Sequence, residues 1–92
     1  MFYTYVLKSK KNNKLYTGYT SDLRKRFKEH TEGKSGYTKI NGPYELIYYE
    51  ACVEKEDAMN REQYLKSGRG KRFIGARLKR FLFRPEQNQQ IK

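Results

Sequence analysis

The sequence predicts an α+β fold, a small three-stranded antiparallel sheet flanked by three helices in the order ββαβαα. Three observations support this fold class. Tyrosine-rich runs that partly alternate are typical of strands, other stretches carry apolar residues at helical spacing, and breaks rich in glycine, proline and asparagine separate them. Because 92 residues suffice for one core only, we expect a single domain over residues 1–83 and a flexible C-terminal tail over residues 84–92.

The first two strands are predicted over residues 2–8 and 14–19, around a turn at Lys10–Asn13. The turn ends in two consecutive asparagines, which tolerate the positive φ that tight hairpin turns require. The two strands should therefore form an antiparallel hairpin.

Two tyrosines in this hairpin raise the first functional question. In a two-residue turn at the asparagines, Tyr5 pairs with Thr20, and Tyr5 and Tyr16 share one face of the sheet because side chains alternate along a strand. Packing of a core would produce the same arrangement. From these residues alone, the tyrosines are either core residues or the phenols of an active site.

The next element is predicted to be a helix over residues 20–34. Thr20 or Ser21 can serve as its N-cap, and Leu23 and Phe27 stand four residues apart as a narrow core stripe. The helix should therefore lie against the sheet.

The remaining pattern completes the fold. A loop rich in glycine over residues 32–43 leads to a third strand over residues 44–50. A second helix is predicted over residues 54–67, acidic at its start, basic at its end and closed by Gly68. A third follows over residues 70–83, with apolar residues at helical spacing.

The composition points to a polyanionic partner. Twenty-one lysines and arginines against ten acids give a net charge of +11, which favours nucleic acid first and an anionic membrane surface second. The sequence contains no apolar run of about twenty residues and no signal peptide, so we expect a cytoplasmic protein that does not associate with membranes. One cysteine and one histidine argue against a structural zinc site.

Two polar positions on the predicted helices could carry chemistry. Arg26 and His30 are four residues apart, so they lie on adjacent turns of one helical face and could hold a phosphate. The alternative is a solvated basic helix. Glu62 could hold a divalent cation as a single carboxylate, or it could simply pair with Lys66 four residues later.

Taken in order, these residues resemble the GIY-YIG nuclease family. The resemblance is to small stand-alone bacterial members that are similar to the nuclease domain of the excision-repair incision subunit. YTYVL stands at the GIY segment, YTGYT at the YIG segment and SDLRKRFKEH at the helix with its Arg and His, while GPYELIYYE and EDAMNREQYLKSGRGKRF match the elements that follow. Three positions depart from the motifs: Tyr3 and Thr4 replace the glycine and isoleucine of the first motif, and Thr17 replaces the isoleucine of the second.

The resemblance implies a role for six positions. Tyr5 and Tyr16 correspond to the motif tyrosines and Gly18 to the motif glycine. The further correspondences are Arg26 to the catalytic arginine, His30 to the histidine one turn later, and Glu62 to the metal-binding glutamate. The implied function is a DNA endonuclease, a phosphodiester hydrolase of DNA repair or recombination, that uses a single, weakly held Mg²⁺ or Mn²⁺.

The basic residues outside this set should bind the DNA backbone without reading its sequence. They are Lys8, Lys10, Lys11, Lys14, Arg24, Lys25, Lys71 and Arg72. We therefore expect branched, flap or nonspecific duplex DNA as the substrate, and the sequence leaves the oligomeric state open. Two alternatives remain: an inactive nucleic-acid-binding module of the same fold, and a protein-interaction domain whose charge serves solubility or an acidic partner.

Overall fold

The computed structural model describes residues 1–33 and 41–83. Within these residues the elements are β1 (Phe2–Ser9), β2 (Leu15–Thr20), α1 (Leu23–Thr31), β3 (Tyr44–Cys52), α2 (Lys55–Lys66), α3 (Gly68–Arg77) and α4 (Lys79–Leu82). The three strands form one antiparallel sheet in the order β2-β1-β3, which confirms the predicted α+β class. Most of the predicted loop, residues 34–40, and the predicted tail, residues 84–92, lie outside the described residues.

The hairpin loop comprises Lys10–Asn13, as predicted, and is thus longer than the two-residue turn at the asparagines from which the register was predicted. The backbone N–H of Ser9 donates to the carbonyl of Lys14 at 2.9 Å, so four residues form the loop, and Asn13 adopts the expected positive φ of 64°. The buried hydroxyl of Ser9 accepts hydrogen bonds from the backbone N–H groups of Lys11 and Asn12. This side chain satisfies loop donors that a tighter turn would not present.

The longer loop shifts the strand register. Tyr5 pairs with Gly18, not with Thr20 as predicted, and Tyr16 pairs with Leu7. Because the shift is two residues, each side chain keeps its face. Tyr5 and Tyr16 therefore share one face of the sheet, as the alternation predicted.

Helix α1 begins later than predicted. Its N-cap is Asp22, whose carboxylate accepts a hydrogen bond from the backbone N–H of Lys25 at 3.0 Å. The prediction of Thr20 or Ser21 was therefore wrong. The hydroxyl of Thr20 instead accepts from the backbone N–H of Asp22 at 3.1 Å, so it shapes the turn that leads into the helix.

Helices cover both faces of the sheet. On one face, Leu23 and Phe27 of α1 pack on a cluster around Tyr5 and Leu7, which confirms the predicted stripe. On the other face, side chains of α2, α3 and α4 pack around Val6. The central strand β1 is thus buried on both sides, and its alternate residues belong to two separate clusters.

The last predicted helix is interrupted. Leu78 has φ −112° and ψ 31° and separates α3 from the single turn of α4, so the expectation of one helix over residues 70–83 was wrong. The interruption lets both Leu78 and Leu82 pack against the Val6 cluster. Ser67, rather than Gly68, ends α2 and also caps α3 through its hydroxyl.

Two polar contacts fix α2 against the sheet. The hydroxyl of Thr4 donates to the carbonyl of Ala58 at 3.0 Å, and Arg61 pairs with Glu50 of β3 at 2.8 Å. They set the position of the helix that carries Glu62. Among residues 1–33 and 41–83, every helix is too short or too polar to span a lipid bilayer.

Candidate active site

A buried contact between β1 and α1 forms the centre of the candidate site. The phenol oxygen of Tyr5 lies 2.9 Å from Nε2 of His30. Tyr5 is 1% exposed and His30 is 2% exposed. Leu23 and Phe27 pack α1 against the sheet face that carries Tyr5. His30, about one turn after Phe27, therefore contacts Tyr5.

His30 is neutral at physiological pH in this environment. Burial lowers its pKa to about 4, and the positive charge of Arg26 acts in the same direction, while Glu29 opposes both. A buried imidazole beside a guanidinium is expected to stay uncharged. His30 can therefore accept or relay a proton at neutral pH, but it does not supply a positive charge to a phosphate.

Arg26 is held from two sides. The interaction of its guanidinium with the Tyr5 phenol is the main reason that the Arg26 pKa is raised. Nη1 also pairs with Oε1 of Glu29 at 3.0 Å. Arg26 and His30 thus both act on Tyr5, His30 through a hydrogen bond and Arg26 through its effect on the pKa of the phenol.

The direction of the Tyr5–His30 bond follows the tautomer of the neutral imidazole. With the ring proton on Nδ1 the phenol donates to Nε2, and with the proton on Nε2 the ring donates to the phenol oxygen. Burial is the main cause of the raised Tyr5 pKa, and Arg26 opposes it.

Tyr16 and Gly18 complete this part of the site on strand β2. The Tyr16 ring lies 5.1 Å from the His30 ring in an edge-on arrangement, and Tyr16 is only partly buried. A Cβ at Gly18 would stand 2.5 Å from the phenol oxygen of Tyr5. Tyr5 pairs with Gly18 on the adjacent strand, and its ring occupies the space that any larger side chain at this position would need.

Glu62 reaches the same region from α2. Its carboxylate is 14% exposed and accepts from Nζ of Lys66 at 3.0 Å, so the ion pair foreseen from the spacing does form. Its negative charge also contributes to the raised pKa of Tyr5. Glu62 therefore belongs to the electrostatic surroundings of the catalytic candidates, although it lies on a different helix.

The donor set around Glu62 fits a hard divalent cation that keeps most of its water. Mg²⁺ commonly binds through one or two carboxylates and retains several waters. Within residues 1–33 and 41–83, no group of three or more His, Cys, Asp or Glu side chains is placed to hold a metal. A closed protein cage is thus not built by this part of the chain, whereas a single-carboxylate site is compatible with it.

A cleft opens beside Tyr16. It has a volume of about 340 Å³, and its lining includes Tyr16, Thr17, Lys66 and Lys71. Its other lining residues, Val6, Leu15, Leu65 and Ile74, belong to the Val6 cluster, so the cleft lies on the sheet face opposite to the Tyr5 and Tyr16 side chains. Of the predicted DNA-binding residues, Lys71 lines this cleft together with Lys66, which pairs with Glu62.

Among the other predicted DNA-binding residues, Arg72 lines a surface cleft together with Lys71, and the rest are distributed over the sheet and α1. The lysines of the hairpin loop lie at one end of the sheet, and the basic residues at the start of α1 lie at the other end, because Thr20 pairs with Tyr3. Lys8 packs over the ring of Phe81 at 5.8 Å. The loop group comprises Lys10, Lys11 and Lys14, the α1 group comprises Arg24 and Lys25, and Arg72 is exposed beside Lys71 on α3.

One residue of the site escaped the sequence reasoning. Glu29 holds the Arg26 guanidinium, and its charge raises the His30 pKa against the effects of burial and Arg26. The three-residue spacing of Arg26 and Glu29 did indicate that they are neighbours on the helix. The same spacing is found in the surface ion pairs of any charged helix, so it did not single out Glu29.

Known proteins are similar to this chain in both sequence and structure. The family model for the GIY-YIG catalytic domain matches residues 1–74. A UPF0213 protein of Clostridium perfringens is 45% identical over 67 residues, 72% of this chain and 71% of that protein. The UPF0213 protein YazA of Bacillus subtilis is 49% identical over 63 residues, 67% of this chain and 63% of that protein.

A solved structure agrees with these matches. The solution NMR structure of a UPF0213 protein from Bacillus halodurans superposes with a TM-score of 0.51 at 39% identity, covering 83% of this chain and 84% of that chain. The matched family segment spans both strands of the hairpin, α1, β3 and α2, which carry the six residues described above. The chain therefore belongs to the GIY-YIG family, a family of nucleases that act on DNA.

Proposed function

We propose that this protein is a divalent-metal-dependent DNA endonuclease that hydrolyses phosphodiester bonds in the cytoplasm, in DNA repair or recombination. Its substrates would be recognised by structure or bound nonspecifically rather than by sequence. The single observation that carries the proposal is the buried contact of the Tyr5 phenol with Nε2 of His30, beside an Arg26 guanidinium that acts on the same phenol. Glu62 lies close enough to influence the pKa of that phenol.

Arg26 is the candidate for binding the scissile phosphate. Its guanidinium is partly exposed while Glu29 and Tyr5 hold it from the protein side. A planar guanidinium can offer two parallel donors to phosphate oxygens. Fixed donors aimed at the oxygens where negative charge builds up would lower the barrier.

Tyr16 is the better candidate for the base that takes a proton from the attacking water. Tyr5 is fully buried, and burial raises its pKa, which disfavours the phenolate. Tyr16 lies on the same face and is only partly buried, so water can reach this side chain. Tyr5 would then position His30 through its hydrogen bond to Nε2.

The metal would be held by Glu62, with waters and substrate oxygens completing its coordination. When bound, Mg²⁺ or Mn²⁺ would supply Lewis-acid stabilisation of the phosphate and of the departing oxygen. Lys66 and Lys71 would bind neighbouring phosphates, because Lys66 contacts Glu62 and both lysines line the cleft between β2 and helices α2 and α3. Their contribution should weaken as salt rises.

The first test is cleavage of supercoiled plasmid and of branched and flap DNA in Mg²⁺ or Mn²⁺. The wild-type protein is compared with Glu62→Ala, and with Glu56→Ala as a matched control on the exposed first turn of the same helix. We expect metal-dependent nicking by the wild type and the control, and none by Glu62→Ala. Equal cleavage by Glu62→Ala would refute the metal assignment, and absence of wild-type cleavage would refute the enzyme.

One observation favours a second candidate, an inactive nucleic-acid-binding module. Glu62 is engaged by the Lys66 ammonium at 3.0 Å, which occupies a carboxylate oxygen that a metal would need. This candidate predicts salt-dependent DNA binding that is insensitive to Glu62→Ala and is not followed by nicking.

A further inference from the structure

A second cavity lies on the same sheet face, on the other flank of α1. Its volume is about 490 Å³. The sheet contributes Tyr3, Leu46 and Tyr49 to its lining, and α1 contributes Leu23, Arg24 and Phe27. We call this cavity the aromatic groove.

The groove presents aromatic surface to solvent. Tyr49 is 54% exposed, although it is a large side chain in the middle of β3. Its ring lies 6.1 Å from that of Tyr3 at an interplanar angle of 61°. Tyr3 therefore forms one wall of the groove beside the exposed ring of Tyr49. It stands at the position of the first motif glycine.

Charge at the groove favours a ligand that carries phosphate. Arg24 lies at its edge, and the whole chain has a net charge of +11. The one acid in the lining, Asp22, is the N-cap of α1, and its carboxylate accepts from the backbone N–H of Lys25. The positive end of the helix dipole offsets that carboxylate, so it does not repel a nucleotide strongly.

The groove is next to the candidate catalytic residues. Tyr49 pairs directly with Tyr5 on the adjacent strand, and the Cα atoms of such pairs lie about 4.5–5.5 Å apart. At 100° per residue, Arg24 and Arg26 lie on opposite flanks of the Leu23 and Phe27 stripe. A nucleotide strand whose phosphate binds Arg26 can thus reach the groove by crossing the start of α1.

We propose that the aromatic groove binds an unpaired nucleobase of the DNA substrate, stacked on Tyr49 and flanked by Tyr3. This inference rests on the proposed nuclease function and names the substrate class of that site. Bases within a duplex are stacked on their neighbours, so only a base in a single-stranded flap, gap or branch can enter the groove. Aromatic side chains that stack with bases, beside cations that bind the backbone, are the usual means of binding single strands.

The test compares Tyr49→Ala and Tyr49→Phe with the wild type, using Tyr64→Ala as a control. Tyr64 is also an exposed tyrosine, 37% exposed on α2, but it does not line the groove. The probes are a 5′-flap DNA with 2-aminopurine in the single-stranded arm and the matching full duplex with the same label. Binding is measured in EDTA at fixed salt, and circular dichroism confirms that each variant is folded.

We expect the flap arm to bind with stacking that changes the 2-aminopurine fluorescence. Tyr49→Ala should weaken binding of the flap at least about fivefold relative to the duplex, since one base–aromatic stack is worth that much. Tyr49→Phe and Tyr64→Ala should bind the flap as the wild type does. Retention of flap binding and of the fluorescence change in Tyr49→Ala would overturn the proposal, as would equal losses for flap and duplex.

The same set of proteins separates this inference from the nuclease proposal. If the wild type nicks plasmid in Mg²⁺ but Tyr49→Ala binds the flap normally, the groove assignment fails and the nuclease stands. If flap binding depends on the Tyr49 ring but no protein cleaves DNA, the groove stands and the nuclease fails. A concentration-dependent dimer that Tyr49→Ala abolishes, without any effect on flap binding, would show that a second copy of the chain occupies the groove and would overturn the inference.

Discussion

The phenol oxygen of Tyr5 and Nε2 of His30 lie 2.9 Å apart, although 25 residues separate the two in sequence. Both side chains are buried, one on the central strand and one near the end of α1. Packing on both faces of β1 leaves them little freedom to rearrange. The site is therefore built into the core, and changes to the core beneath it should alter its chemistry.

Gly18→Ala should displace Tyr5. The added Cβ would stand 2.5 Å from the phenol oxygen, which is too close for two heavy atoms that are not bonded. We expect a loss of about 1–3 kcal/mol in the free energy of unfolding, measured by urea denaturation, and a large fall in nicking rate. Gly75→Ala in α3 is the control, because nothing lies within 4 Å of its added Cβ, and it should be neutral or slightly stabilising. Equal stability of the Gly18 variant and the wild type would contradict the packing described here.

His30 should make stability depend on pH below neutrality. Its pKa is lowered to about 4 in the folded protein from an ordinary value of 6.5, so the unfolded chain binds more protons between these values. The contribution of His30 to the free energy of unfolding is therefore fully present above about pH 6.5. It falls as the pH is lowered towards 4, with a total loss of roughly 3 kcal/mol at most.

The measurement is the free energy of unfolding at several pH values for the wild type and for His30→Gln. Carboxylates titrate in the same range in both proteins, so the difference between the two curves isolates the imidazole. That difference should grow steadily from pH 4 to pH 6.5. A constant difference would show that His30 is not held neutral.

Arg26→Ala should lower the nicking rate about 100-fold or more, corresponding to at least ~3 kcal/mol of barrier if Arg26 acts as a single donor to the developing charge. Arg26→Lys should recover only part of the rate, because an ammonium cannot bind phosphate and Tyr5 in one planar arrangement. Lys28→Ala is the control on the same helix, since its exposed ammonium pairs only loosely with Glu32 at 3.9 Å. An unchanged rate for Arg26→Ala would remove this residue from the mechanism.

Lys66→Met should strengthen metal binding at Glu62. The ammonium occupies a carboxylate oxygen at 3.0 Å, and exposed pairs of this spacing contribute about 0.3–0.5 kcal/mol, so the affinity for Mn²⁺ should rise about twofold or more. Titration calorimetry with Mn²⁺ measures this without any need for catalysis. Lys55→Met at the start of the same helix should leave the affinity unchanged, and Glu62→Gln should abolish binding. A Lys66 variant with wild-type affinity would show that the ion pair does not compete with the metal.

Thr4→Val should loosen the helix that carries Glu62. The Thr4 hydroxyl is the donor to the carbonyl of Ala58 at 3.0 Å, and Thr4 is buried. The Ala58 carbonyl keeps its helical hydrogen bond within α2, so loss of the bond from Thr4 should cost about 0.5–1.5 kcal/mol of folding stability. Thr4→Ser keeps the hydroxyl and should therefore be more stable than Thr4→Val. Similar melting curves for the two variants would argue against this role of the hydrogen bond.

The sequence by itself determined the class of fold, the order of the elements and the shared face of Tyr5 and Tyr16. These features depend on local periodicity, which survives small errors in loop length: the hairpin register moved by two residues, and every side chain kept its face. The Arg26 and His30 spacing likewise predicted one helical face. The order of these residues was also sufficient to identify the family.

Only the tertiary structure determined which side chains are in contact and which are excluded from water. The Ser9 hydroxyl that accepts from the hairpin loop donates in turn to the carbonyl of Asn41, 32 residues away, and the interruption at Leu78 accompanies packing against Val6. The protonation of His30 depends on burial and on the nearby Arg26 charge. These are interactions between residues distant in sequence or effects of exclusion from water, and no local pattern encodes them. The same reason applies to the aromatic groove, whose walls come from β1, β3 and α1 and meet only when the sheet and the helix are packed together.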